Sequence, residues 1–164
     1  MLGQLEESPM KTNLKVVLAE KDELLKTKGA GLCSVTPDTP ASDAIRIMCE
    51  ANIGCVLVLD GHKLVGIFSE RDVLHRLSNK GLEPAGRKVR DVMTSDVITV
   101  SPTITVEDAL AECTDRRVRH LPVVEDGELI GLLSIGDLVR YVVKDKERTI
   151  SDLTSYIHGT PIQV

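Results

Sequence analysis

The hydrophobic positions of this chain follow two periodicities, and the same succession occurs twice. Ala41 to Met48 and Val106 to Cys113 carry apolar side chains at i, i+3, i+4 and i+7, the spacing of an amphipathic helix. Short apolar runs, LCSV and VITV, precede these stripes, and two runs of strand length follow each of them. A second helical stripe ends each half: Val73, Leu74 and Leu77, then Leu138, Val139 and Val142. The pattern therefore predicts strand, helix, strand, strand, helix, twice.

Polar residues mark where these helices begin. Thr105 and Asp108 have the spacing of a capping box, and Thr39 followed by Pro40 is predicted to cap the equivalent helix of the first half. Before each second stripe stands a seven-residue frame, GIFSERD and then GLLSIGD. Its Ser-x-x-Asp spacing is again that of a capping box.

The two halves are an internal duplication with an offset of 65 residues, which aligns Leu32–Leu77 with Val97–Val142 without a gap. Identical residues recur at matching positions: Pro37 and Pro102, Gly66 and Gly131, Ser69 and Ser134, Asp72 and Asp137. A repeat of about 50 residues has a marginal core of its own, so we expect the two repeats to pack on each other. The fold class predicted is α/β, a sandwich-like arrangement of tandem β-α-β-β-α repeats.

The predicted boundaries follow from this alignment. Repeat 1 is expected at 13–78, a polar linker at 79–88 and repeat 2 at 89–145, after a disordered segment at 1–12. Ile150, Leu153 and Ile157 share one face of a predicted C-terminal helix at 146–159, which Gly159 would close.

Composition and net charge argue against a membrane protein, a general nucleic-acid binder and a metal protein. The 164 residues are 42% hydrophobic, without an apolar run long enough to span a membrane, which indicates a soluble cytoplasmic protein. A net charge of −5 disfavours a general nucleic-acid or anionic-membrane binder. The four cysteines match no metal-binding spacing and are predicted to be buried thiols, and no metal site is expected.

The repeated Ser-x-x-Asp motif of GIFSERD and GLLSIGD has two interpretations. As a capping box it needs no ligand, because the serine and the aspartate satisfy backbone N–H groups of the helix start. The same geometry suits a nucleotide, since a helix N-terminus attracts phosphate and an aspartate accepts hydrogen bonds from a ribose diol.

The residues of the second half, VMTSDVITVSPTITVEDAL and RRVRHLPVVEDGELIGLLSIGDLVRYV, resemble a CBS motif, and the first half resembles a divergent copy. From about Leu14 to Lys144 the chain is similar to a stand-alone CBS pair, or Bateman module, whose repeats pack with pseudo-two-fold symmetry. The resemblance implies that Ser69 and Asp72 hold phosphate and ribose in one cleft. Ser134 and Asp137 would do so in the other.

A basic cluster, RRVRH, ends at His120 in this otherwise acidic chain. One interpretation is a solvated helix end, where the helix dipole stabilises cations, and the other is a contact to phosphate. The resemblance implies that Arg119 and His120 contact phosphate, although their order is the reverse of that in nucleotide-sensing relatives. The first repeat has Gly54 at the position of Arg119, so the two clefts are unequal. Arg71 in the first frame is a further candidate for phosphate.

The resemblance also implies an adenosine ligand: AMP, ADP, ATP, NAD(H) or S-adenosylmethionine. Its adenine would lie against the short first strands, at Cys33, Val35, Ile98 and Val100. A homodimer and an unidentified regulated protein are the expected partners.

Catalysis is not expected. No P-loop, G-x-G-x-x-G or H-E-x-x-H occurs, and no cofactor is required by any motif. Two alternatives stay open beside the nucleotide sensor. One is a protein-interaction module with vestigial clefts, and the other is a redox-responsive regulator that uses Cys33 or Cys55.

Overall fold

The computed structural model describes residues 8–27 and 31–157. Apart from the first strand of the second repeat, the helices and strands of the two repeats follow the predicted order, which is that of an α/β protein with open sheets. In chain order they are α1 (Leu14–Thr27), β1 (Ser34–Val35), α2 (Ala41–Ala51), β2 (Cys55–Asp60), β3 (Lys63–Ser69), α3 (Glu70–Asp72), α4 (Val89–Val92), α5 (Val106–Asp115), β4 (His120–Glu125), β5 (Glu128–Ser134) and α6 (Ile135–Ile157).

The described residues divide into two compact units. The Asp72 unit consists of residues 31–99 and 122–131, and the Asp137 unit of residues 8–27, 100–121 and 132–157. The first sheet has the order β1-β2-β3, with β1 parallel and β3 antiparallel to β2. The second sheet contains β4 and β5.

The core of the Asp72 unit lies between α2, the sheet β1-β2-β3 and α4. The predicted stripe of α2 is confirmed, because Ala41, Ala44 and Met48 are buried. They belong to the same core cluster as Phe68 of β3, which is fully buried, as are the valines of β2. From α4, Val89 and Val92 complete this core, so the start of the predicted second repeat packs with elements of the first.

In the Asp137 unit, α1 is amphipathic and packs against α6. Leu14, Val17 and Leu18 are its buried residues, at the i, i+3, i+4 spacing of a helical face. The start of α1 is fixed by a backbone hydrogen bond from Leu14 to the carbonyl of Ile104 (3.0 Å).

The capping box predicted for α5 is confirmed. Thr105 Oγ1 accepts the amide of Asp108 (3.1 Å), and the Asp108 carboxylate accepts the Thr105 amide (3.3 Å). The Thr105 hydroxyl also donates to Asp108 Oδ2 (2.8 Å), and this hydrogen bond, followed by that from the Thr105 amide, lowers the pKa of Asp108. The cap predicted for α2 is wrong: Pro40 occupies the N-cap position, and the Thr39 hydroxyl instead accepts the amide of Thr36 (3.1 Å).

The predicted strand VITV does not form; within it, only Val100 takes part in a β-bridge. In the first repeat, the amide of Leu57 donates to the carbonyl of Cys33 (3.2 Å), next to the pairing of β1 with β2. The residue at the equivalent position of the second repeat is Pro122, which has no N–H. The second repeat therefore lacks the donor for the corresponding bond.

The stripe predicted after Asp72 is only partly buried. Leu77 is buried, but Leu74 is 62% exposed. Val73–Leu77 form a π-helical turn, closed by i→i+5 hydrogen bonds, in which side chains do not follow the α-helical period.

The equivalent stripe of the second repeat begins a regular α-helix. This helix, α6, runs on through the predicted boundary at 146 to Ile157; Gly159, the predicted end of a C-terminal helix, lies outside the described residues.

The cysteines do not share one environment. The prediction of buried thiols is confirmed for Cys55 and Cys113 and is wrong for Cys49, which is exposed, while Cys33 is half-buried. Burial raises the pKa of the Cys113 thiol. Cys49 lies on α2 outside the buried stripe of that helix, which explains its exposure.

Candidate functional site

Each Ser-x-x-Asp motif lies where a strand runs directly into a helix. Ser69 ends β3 and Ser134 ends β5, so each aspartate comes in the first turn of the helix that follows. The first helical amide after each serine donates to a carbonyl that precedes the neighbouring strand. Ile135 donates to Arg119 (2.9 Å), and the equivalent bond of the first repeat ends on Gly54 (3.0 Å). The backbone of Arg119 is thereby fixed beside the Ser134 motif.

The Asp137 carboxylate is bound by its own motif and by a lysine from α1. Its Oδ2 accepts the Ser134 amide and hydroxyl (both 2.8 Å) and Lys21 Nζ (2.7 Å). The same ammonium donates to the carbonyl of Leu132 (2.7 Å). The other oxygen, Oδ1, has Arg140 Nη1 at 3.9 Å, beyond hydrogen-bonding distance.

The balance of burial and hydrogen bonding keeps Asp137 ionised. Burial alone would raise its pKa, but the hydrogen bonds from Lys21 and Ser134, with the charge of Lys21, outweigh that cost and hold the pKa below its ordinary value. The Lys21 and Asp137 side chains are only 22% and 15% exposed, so solvent screens their attraction weakly. This site therefore carries a negative charge at neutral pH that is matched by a cation from another helix.

Replacing Lys21 with methionine should lower the free energy of unfolding by about 1 kcal/mol at pH 7, because a partly buried carboxylate loses its cation. The pKa of Asp137 is lower in the folded state than in the unfolded one. The stabilisation is therefore complete above the ordinary carboxyl pKa of about 4 and is lost as the pH falls through the folded-state value. Urea denaturation of both proteins between pH 7 and pH 2.5 measures it, and a difference that is unchanged at the acid end would contradict this assignment.

The Asp72 carboxylate is more enclosed, being only 5% exposed. Its Oδ2 accepts the Ser69 amide (2.9 Å) and hydroxyl (2.8 Å). Its Oδ1 accepts the Thr94 hydroxyl (2.9 Å) and lies 3.3 Å from Arg76 Nε. Both oxygens are thus occupied, and the π-helical turn supplies the cation of the ion pair, since Arg76 lies within it.

Thr94 is positioned by two contacts with β3. Ile67 and Thr94 exchange both backbone hydrogen bonds (2.9 Å each). One residue earlier, Met93 lies over Gly66, where an added Cβ would be 2.4 Å from the Met93 sulfur. This close approach explains the glycine of the first motif.

Sequence reasoning missed these donors from outside the motifs. Lys21 comes 116 residues before its aspartate and Thr94 comes 22 residues after its own, so neither lies near the motif that it completes. A signal for Lys21 exists in hindsight: it takes the i+7 position of the α1 stripe that begins at Leu14, where another apolar residue is expected.

A cleft of about 290 Å³ lies between α1 and α6, and Asp137 is one of its lining residues. Val17, Leu24 and Tyr141 supply apolar surface. The cations in its lining are Lys21, Arg140 and Lys144, of which Lys144 is paired with Glu20 (3.2 Å).

The other predicted residues lie in differing environments. In the Asp72 unit, Arg71 is exposed, Cys33 and Ile98 are half-buried, and Val35 belongs to the core. In the Asp137 unit, Val100 is buried, Arg119 is exposed and His120 is half-buried at the start of β4. Hydrogen bonds join Ser69 to Asp72, Ser134 to Asp137, and the backbone of Arg119 to that of Ile135.

Within residues 8–27 and 31–157, no three His, Cys, Asp or Glu side chains are grouped so that they could hold a metal ion. No helix of that part of the chain is both long and apolar enough to cross a membrane.

Comparison with protein families gives two matches to one model, described as CBS domain, over residues 31–79 and 89–144. The CBS domain-containing protein CBSX3, mitochondrial, of Arabidopsis thaliana is 36% identical over 163 residues, covering 96% of this chain and 78% of that protein.

Solved structures agree with the family match. A protein with CBS domains from Burkholderia ambifaria superposes with a TM-score of 0.75 at 36% identity, covering 82% of this chain and 96% of the other. The crystal structure of CBSX2 in complex with AMP gives a TM-score of 0.61 at 33% identity, over 71% of this chain and 90% of that one.

Proposed function

The chain belongs to the CBS domain family as a pair of repeats, and from this premise we propose that it senses an adenosine nucleotide and has no catalytic activity of its own. As a CBS pair it is a regulatory module. The observation that carries the proposal is the doubled Ser-x-x-Asp motif, held twice at a strand-to-helix junction with its carboxylate ionised or multiply hydrogen-bonded.

The ribose is assigned to the two aspartates. A carboxylate is the natural acceptor for a vicinal diol, since it offers two oxygens and has no donor of its own. Asp137 Oδ1 accepts no hydrogen bond from the described residues and so has capacity for a hydroxyl. Asp72 would exchange its bond from the Thr94 hydroxyl for one from ribose.

The phosphate is assigned to the serines and the nearby cations. The start of α6 and the Ser134 hydroxyl lie at the junction of β5 and α6, beside Asp137. The backbone of Arg119 lies at the same junction, since its carbonyl accepts the Ile135 amide. Arg119 and His120 are proposed to contact the phosphate there. In the first repeat this role falls to Ser69 and Arg71.

Adenine is proposed to lie against the segments that begin each repeat. Cys33 and Ile98 are the half-buried members of the predicted set, and Val35 and Val100 are the buried ones. Ile98 lies in a stretch that forms no regular strand, so its backbone N–H and C=O are not part of a strand ladder and are proposed to hydrogen-bond the purine edge. The complex of the relative CBSX2 with AMP supports AMP as the first ligand to test.

Calorimetric titration with AMP, ADP, ATP, NAD, S-adenosylmethionine and GMP tests the proposal. We expect saturable binding of at least one adenosine ligand and weaker binding of GMP. At a hundredfold excess over Kd, that ligand should stabilise the fold by roughly 2.7 kcal/mol. If no adenosine ligand binds or raises the melting temperature at millimolar concentration, the nucleotide sensor is excluded and the interaction module becomes the better account.

We further propose that the protein is a homodimer. Ile135, Val139 and Val143 are exposed at a spacing of four residues along α6, so they form one apolar stripe. A stripe of this kind favours a self-complementary contact between two copies. Light scattering at micromolar concentration should give twice the mass of the 17.9 kDa chain, and a monomeric mass would refute the assignment.

A further inference from the structure

Lys21 donates a hydrogen bond to the Asp137 carboxylate, which is the proposed acceptor for the ribose hydroxyls. We propose that this lysine is an intramolecular competitor for ligand at Asp137, so that α1 keeps the site closed until a ligand displaces its ammonium. The inference rests on the proposed function, and it adds a regulatory role for a helix outside both Ser-x-x-Asp motifs.

Counting acceptors supports competition. A carboxylate oxygen has two lone pairs, yet Asp137 Oδ2 accepts three donors, two of them from Ser134 and one from Lys21. A diol that donates one hydroxyl to each oxygen finds Oδ1 available, but at Oδ2 its hydroxyl must take the place of one of these three donors. Lys21 is the donor that can leave, and the hydroxyl can then take the position that the ammonium held, whereas departure of Ser134 would dismantle the start of α6.

Lys21 is held firmly enough to compete. Its ammonium has two strong acceptors at 2.7 Å, Asp137 Oδ2 and the carbonyl of Leu132. The helix that carries it is anchored by the buried side chains of Leu14, Val17 and Leu18. A ligand must therefore replace a charge-assisted hydrogen bond, which is stronger than a neutral one.

Within the described residues, no cation from a distant helix contacts Asp72. The contacts that Asp72 receives from outside its motif are the neutral hydroxyl of Thr94 and the ion pair with Arg76, which follows it by only four residues. A hydroxyl can rotate and accept a hydrogen bond from the ligand, but an ammonium has no lone pair and can only leave. Displacement at Asp137 is thus coupled to α1, and displacement at Asp72 is not.

The test compares adenosine binding by the full-length wild type, Lys21→Met and Lys26→Met. Adenosine is the probe because it has no phosphate that Lys21 could attract. We expect Lys21→Met to bind adenosine roughly fivefold more tightly or better, because the displaced hydrogen bond is charge-assisted. Lys26 lies on the same helix and pairs with Glu23 (2.8 Å), so Lys26→Met controls for the loss of one α1 ion pair and should bind like wild type.

A double variant makes the assignment specific. In Lys21→Met with Asp137→Asn, the gain in affinity should disappear, because the competed carboxylate is gone. Adenosine should also speed amide exchange of α1 in wild type and leave it unchanged in Asp137→Asn. Lys21→Gln, with its shorter and uncharged side chain, should reproduce the tighter binding if Lys21→Met fails to fold.

The outcomes separate the inference from the proposed function. Equal adenosine affinity in wild type and Lys21→Met overturns the competitor and leaves the nucleotide sensor intact. Weaker binding by Lys21→Met also overturns it, since the lysine would then contact the ligand. Absence of adenosine and AMP binding in both proteins overturns both, while binding by Lys21→Met alone supports both.

Discussion

Replacing Phe68 with alanine should lower the free energy of unfolding by about 3 to 5 kcal/mol, the range for large aromatic residues in a packed core. Phe68 is the single phenylalanine of the chain and is fully buried. It pairs with Val56 across the sheet and shares one core cluster with the buried residues of α2. Among the described residues of this core there is no second aromatic ring that could fill the space left by the substitution, so the cavity term adds to the lost burial.

Urea denaturation of Phe68→Ala and of Leu74→Ala measures this effect against a control. Leu74 lies in the same unit but is largely exposed, so its truncation should change stability by less than about 0.5 kcal/mol. Phe68→Leu, which retains most of the apolar volume, should fall between them. A loss below about 1.5 kcal/mol for Phe68→Ala would mean that this core collapses around the gap, contrary to the rigid packing expected of it.

Replacing Asp72 with alanine should cost about 2 to 4 kcal/mol of stability. The change leaves the Ser69 amide and the hydroxyls of Ser69 and Thr94 without their acceptor, and unsatisfied buried donors are costly. Thr94→Val removes only one of these hydrogen bonds and should cost about 1 to 2 kcal/mol. The exposed Asp60 provides the control: Asp60→Ala should change stability by less than about 0.5 kcal/mol.

The ligand role of Asp72 is separated from this structural role by Asp72→Asn. If Asp72 accepts ribose hydroxyls, the substitution should weaken adenosine binding at its site by about 1.5 to 3 kcal/mol, the range for hydrogen bonds to charged groups. 2′-Deoxyadenosine should then bind less tightly than adenosine to wild type and almost equally to the variant. If removing the 2′-hydroxyl costs both proteins the same affinity, Asp72 has only its capping role.

The fold was predictable where side-chain periodicity decides the structure. The stripes of α2 and α5 are buried as expected, because a helix needs only its own sequence to define an apolar face. That VITV forms no strand could not be predicted from its own residues, because strand pairing depends on a donor elsewhere in the chain. The residue at the donor position is Pro122, which has no N–H. The residue pattern also predicts a buried Leu74, because it assumes the α-helical period and Val73–Leu77 form a π-helical turn.

The candidate site was predictable to the same extent. Ser69, Asp72, Ser134 and Asp137 follow from the doubled motif, and the structure gives all four the local hydrogen bonds of a capped helix. The donors from outside the motifs do not follow, because they depend on which distant segment packs beside each aspartate. A lysine in an apolar stripe signals a buried partner but does not identify it.

The contact between Lys21 and Asp137 also sets an order of events during synthesis. The two residues are separated by 116 positions, so α1 leaves the ribosome long before the helix against which it packs. At 5 to 20 residues per second, its apolar face stays uncovered for about 6 to 23 seconds. Residues 31–99, most of the Asp72 unit, emerge within that interval and can begin to fold, whereas α1 is made before them and can dock only after α6 has emerged. The nascent chain thus presents α1 to chaperones as an unpaired amphipathic helix, and substitutions at Leu14, Val17 or Leu18 should affect yield in cells more than refolding of the complete chain.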